Sequence, residues 1–68
     1  MSHEKLVHMA NQIGKFFAHQ GESAPAEIAT HLKKFWAPSM RDDIVAHLAA
    51  GGSGLDPHVR EAVEKLRK

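Results

Sequence analysis

The chain contains no cysteine and no tyrosine, and only one tryptophan. Without cysteine there is no disulfide and no thiolate-ligated zinc site. A reducing compartment fits that composition without being demanded by it, because many secreted proteins also lack cysteine. Charge of one sign is missing too: nine Lys and Arg face eight Asp and Glu, a formal net charge of +1. Residues 1–36 hold four basic and three acidic side chains, and residues 37–68 hold five of each. No basic face or acidic tail emerges, which argues against nucleic acid and anionic membrane as partners. Apolar runs are only a few residues long, far short of a membrane span or the apolar stretch of a signal peptide. The opening Ser2-His3-Glu4-Lys5 has no basic leader, so a cytoplasmic location is expected.

What is present is the composition of one small folded domain over residues 1–68, with 43% hydrophobic and 25% charged residues. Leu, Ile, Val and Phe together number only fifteen, and Ala adds ten. A chain of this size buries only about 60% of the surface its unfolded form exposes. Scaffolds this small lean on disulfides, metals or partners. With disulfides excluded, the remaining routes are close helix packing, self-association or docking onto something larger.

Apolar residues recur at three- and four-residue steps throughout, and no alternating strand pattern appears. The expected fold is therefore all-α, a small bundle of about four short helices near 3–20, 24–36, 38–50 and 57–67. The first is the longest. Ser2 caps it, Leu6, Met9, Ala10, Ile13, Phe16 and Phe17 form its stripe, and Gly21 stops it. Gly14 lies inside that helix at a cost of about 1 kcal/mol relative to Ala, a sign that something there wants a small surface. Ser23 or Ala24 caps the second helix with Pro25 in its first turn, and Ile28, Ala29, Leu32, Phe35 and Trp36 make its stripe. Pro38 biases Ala37 away from helix and opens the third, with Met40, Ile44, Val45 and Leu48 inward. Gly51-Gly52-Ser53-Gly54 reads as a short flexible joint. Asp56 as cap and Pro57 at the first helical position start the fourth helix, whose stripe is Val59, Ala62, Val63 and Leu66. Lys65, Arg67 and Lys68 suit its C-terminal end.

The histidines and serines do not assemble into chemistry. Six histidines invite a metal reading, but His3 and His8 are five residues apart and share no helical face. Asp43 and His47, four apart, make a surface pair on the third helix, and two ligands fall short of the three or four that zinc needs. His19, His31 and His58 fall on different helices. The four serines, Ser2, Ser23, Ser39 and Ser53, all lie beside turns or helix starts, where capping explains them. A domain this small also has little interior from which to carve a catalytic cleft, so no enzyme is expected. The glycine segment lacks the preceding strand of a phosphate loop, and Asp56 puts negative charge where phosphate would sit.

Adjacent aromatics are more informative. Neighbours on a helix project about 100° apart, so Phe16 and Phe17 cannot both face one narrow core line, nor can Phe35 and Trp36. At least one ring of each pair is expected at the periphery, unless steeply crossing helices cover both. An exposed aromatic patch would dock on another protein. Trp36, followed by the Pro turn with Met40 and Arg41, is its expected centre. Asn11 reads first as a solvated amide, and alternatively as a residue that fixes helix register or caps a neighbouring chain through a hydrogen bond.

Lys5-Leu6-Val7, Met9-Ala10-Asn11-Gln12-Ile13 and Phe16-Phe17, then His31, Phe35-Trp36, Pro38, Met40-Arg41 and the segment from His47 through Gly51-Gly52, Gly54-Leu55 and Pro57 follow one another in a distinctive order. In that order they resemble the delta subunit of NAD-dependent formate dehydrogenases, from Lys5 to about Leu66. The polar stretch Gln20-Gly21-Glu22 is a mild departure and leaves the first interhelical turn open. The resemblance implies a bacterial cytoplasmic accessory subunit of the molybdenum- or tungsten-containing enzyme. In such an enzyme the alpha subunit carries the metal cofactor and iron–sulfur clusters, while beta and gamma subunits pass electrons to FMN and NAD. The delta chain carries no cofactor of its own and supports assembly, maturation or stability.

The function expected is thus a non-catalytic subunit that binds the alpha subunit or a maturation intermediate of it. Phe35, Trp36, Met40 and Arg41 are the expected contacts, with Asn11 and Phe17 second. One alternative is a chaperone for molybdenum-cofactor insertion that is absent from the mature enzyme. Another is a helix-turn-helix nucleic-acid module, disfavoured by the near-zero net charge. A homodimer is compatible with all three.

Overall fold

A computed structural model describes residues 2–67; Lys68, expected to contribute to the last helix's basic end, lies outside that range. The architecture is all-helical, with no strand among the described residues. Helix α1 spans His3–Phe17, and a 3-10 segment, Ala18–Ser23, carries it into α2, Ala24–Phe35. The helical run over residues 3–35 is interrupted at Gly21, whose φ 60° and ψ −123° are not helical and kink the chain there. Two further helices follow, α3 over Pro38–Ala49 and α4 over Pro57–Arg67.

Each boundary has a local cause. The Ser2 hydroxyl accepts the Lys5 backbone N–H at 3.2 Å, closing one of the open donors of the first turn. The α-helical part of the first segment ends at Phe17, earlier than the apolar stripe implies, because residues after it tighten into 3-10 geometry. Ser23 does not cap α2; its hydroxyl donates to the Gln20 carbonyl at 3.3 Å instead. Trp36 leaves the helix with ψ 140° while its N–H still donates to the Leu32 carbonyl. Ala37 takes φ −64° and ψ 150°, the extended geometry imposed on a residue before proline.

The core joins all the helices. Leu6, Ile28, Leu32, Ile44, Val59 and Val63 are the largest side chains with no exposed surface. Helix α4 packs chiefly on α2 and touches α3 and α1 as well, so the chain's last helix is built into the middle of the domain. Gly14 marks the crossing of α1 and α4. A methyl built there would overlap Val59 Cγ2, with Ile28 Cδ1 at 3.9 Å. The small surface read from the sequence is the price of this close approach.

The flexible joint expected at Gly51–Gly54 is instead a closed turn. Gly51 N–H donates to Leu48 and Gly52 N–H to His47, the bonding of a helix terminated by a residue with positive φ. Gly52 has φ 66°, and a Cβ on it would press on Leu48 and the Arg60 guanidinium at 3.0 Å. Arg60 Nη2 in turn donates to the Gly51 and Gly52 carbonyls at 3.0 and 3.1 Å, placing a cation at the C-terminal end of α3.

Replacing Gly14 with Ala sets a gain of about 1 kcal/mol in helix propensity against an overpacking cost of about 1–3 kcal/mol. Urea unfolding is expected to show net destabilisation. In the Gly14→Ala/Val59→Ala double variant the loss should be smaller than the sum of the two single losses. Additive losses would mean that the two residues do not press on each other.

Candidate functional site

The polar and aromatic side chains divide into three groups. The first is a clamp around the glycine turn. Asn11 Nδ2 donates to the Gly54 carbonyl at 2.9 Å, and its Oδ1 accepts the Asp56 N–H at 3.0 Å. One amide of α1 thus satisfies an acceptor and a donor at the entrance of α4. His47 Nε2 lies 2.8 Å from the Ser53 carbonyl, which only accepts, so that nitrogen carries the proton. The His3 ring meets His47 edge-on at 5.4 Å. His47 therefore turns to the turn rather than to Asp43, and the Asp43–His47 surface pair does not form. Arg67–Glu64, at 3.5 Å, is the ion pair among the described residues. No group of three or more His, Asp or Glu among them is placed to hold a metal ion.

The second group is an aromatic strip across α1 and α2. Phe16 meets Phe17 edge-on at 5.3 Å between ring centroids. Phe17 meets His31 at 5.9 Å, and His31 meets Phe35 at 4.7 Å. Phe17 and His31 are half-buried, while Phe16 is 74% and Phe35 71% exposed. One ring of each adjacent pair does reach the surface. Trp36, however, is only 7% exposed and belongs to the core. The 100° rule places Trp36 as though α2 continued through it; the chain instead turns extended at that residue and folds the indole inward. The centre of the patch is therefore Phe35, with Phe16.

The third group is a groove of about 150 Å³ lined by Lys33, Pro38, Arg41, Asp42, Val45 and Leu66. Arg41 is half-buried, and its Nε is buried without a hydrogen-bond partner. Met40 beside it is half-buried against the core.

With this geometry in place, comparison with known proteins is decisive on one point. The family of NADH-dependent formate dehydrogenase delta subunits, FdsD, matches residues 5–63. The chain belongs to that family. No curated protein and no solved structure matches it. The span shared with the delta-subunit family takes in Asn11, the whole aromatic strip and Arg41, and it ends within α4, short of Leu66.

The six expected contact residues do not form one surface. Phe17 and Phe35 are brought together through His31, Met40 and Arg41 stand at the start of α3, Trp36 is in the core, and Asn11 is spent on the turn. The strip's remaining members, Phe16 and His31, carried a usable signal: His31 precedes Phe35 by four residues, the spacing of neighbours on one helical face.

Asn11→Ala removes two hydrogen bonds, each with a net value of about 1 kcal/mol. The expected result is a loss of about 1–2 kcal/mol in urea unfolding and faster hydrogen exchange at the Asp56 amide. Unchanged exchange there would show that the clamp does not hold the turn in solution.

Proposed function

We propose that the chain is a non-catalytic accessory subunit of a cytoplasmic, NAD-dependent formate dehydrogenase, resting on the catalytic alpha subunit or a maturation intermediate of it. The observation that carries this reading is the strip Phe16–Phe17–His31–Phe35, with two phenyl rings left largely in water by a chain with few apolar residues to spare. Exposed phenyl rings flanked by half-buried ones match the aromatic enrichment of protein interfaces. Membership of the delta-subunit family supports a formate dehydrogenase as the partner. No described helix is long and apolar enough to cross a membrane, which agrees with an enzyme working in the aqueous phase. In this reading the chain contributes support for assembly, maturation or stability. The molybdenum or tungsten cofactor, iron–sulfur clusters, FMN and NAD belong to the partner subunits.

Phe16→Ser/Phe35→Ser is expected to leave the melting temperature nearly unchanged, since both rings are exposed, and to weaken co-purification with formate dehydrogenase at least about tenfold. Trp36→Ala should do the reverse in kind, destabilising the fold by about 3–5 kcal/mol through the cavity it leaves. Full retention of binding by the double Phe variant would sink the strip as the contact. Counting delta chains in the purified active enzyme separates the roles: about one per alpha subunit supports a resident subunit, and none supports the transient insertion chaperone.

A further inference from the structure

The groove between α2, α3 and α4 contains an electrostatic mismatch that the fold does not resolve. Arg41 projects from α3 into a lining that also holds Lys33 of α2 and Asp42 of α3, with Pro38, Val45 and Leu66 as its apolar walls. The Arg41 Nε is withdrawn from solvent and donates to nothing, and no hydrogen bond or ion pair of the Arg41 or Lys33 side chain occurs among the described residues. Withdrawing part of a guanidinium from water without an acceptor costs stability. Asp42 does not relieve it, although it is the neighbouring residue and lines the same groove. Two cations against one carboxylate leave the groove positive by one charge.

We propose that this groove receives one aspartate or glutamate side chain of the formate dehydrogenase subunit on which the chain docks. The inference rests on the accessory-subunit reading above and adds to it a second, polar contact beside the aromatic one. Charge complementarity identifies the occupant. The covered Nε is out of a partner's reach, but the two terminal Nη groups of a guanidinium match the two oxygens of a carboxylate end-on, and Lys33 adds a second positive charge nearby. Val45, Leu66 and Pro38 provide a partly apolar setting in which a charge pair is less screened than on open surface. Lys33 and Phe35 share the last turn of α2 but, two residues apart, project from different faces of it, so the groove is a contact separate from the strip. Asp42 opposes the incoming anion, which gives the proposal a signed consequence: removing its charge should tighten the contact.

The test uses the full chain and formate dehydrogenase purified without its delta subunit, with affinity measured over a range of salt concentrations. Circular dichroism melting of every variant checks the fold. Arg41→Gln should weaken binding at least about tenfold and flatten the salt dependence, Arg41→Lys should restore only part of the affinity, and Asp42→Asn should tighten binding a few-fold. Carbodiimide treatment of the complex should join Lys33 to a partner Asp or Glu, as a link that mass spectrometry finds and that Lys33→Arg abolishes. If Arg41→Gln and Asp42→Asn bind like the unsubstituted chain while Phe16→Ser/Phe35→Ser does not, the groove is overturned and the subunit reading stands. If Lys33 joins no partner carboxylate in a complex that otherwise forms, the groove is likewise overturned. If the unsubstituted chain does not bind the enzyme at all, both fall together.

Discussion

Where α1 crosses α4, the backbone at Gly14 lies directly against Val59, and the spacing of the domain follows from that contact. With α1 this close, α4 sits deep enough for Val59, Ala62 and Val63 to lose all solvent exposure while still packing against α2 and α3. A side chain at position 14 would push the two helices apart and loosen layers that have no disulfide to hold them. Helix propensity is given up at one position so that the helices can share one core.

Polar side chains then fasten the ends that packing leaves loose. Asn11 from α1, His47 from α3 and Arg60 from α4 each bond to backbone of the turn between α3 and α4. Three helices thereby converge on a segment whose glycines would otherwise make it the most mobile part of the chain. The carbonyls at the end of α3 and the N–H at the entrance of α4 find partners, while Leu55 of the same turn is buried in the core.

Much of the fold was legible because its determinants are local. Ser2, Gly21, Pro25, Pro38 and Pro57 each act within a turn of where they stand, and the apolar stripes have the helical period. Gly14 advertised its close contact by its presence in a helix, though nothing nearby named Val59 as its neighbour. The illegible parts are those decided at a distance or by a single dihedral. Asn11 bonds to residues 43 and 45 positions away, which no local pattern encodes. Trp36 looked like the exposed member of its pair because a helical projection was extended one residue too far. Phe35, read both as part of the helical stripe and as an expected contact, is the exposed ring of the pair.

The position of α4 has a consequence for how a partner would meet this chain. The helix that supports α2 from behind, α4, is synthesised after it, so α2 has no complete backing until α4 has emerged and the turn before it has closed. The aromatic strip spans α1 and α2, both of which α4 packs against, so a surface that recognised it would read the folded arrangement of these helices and not a local stretch of sequence.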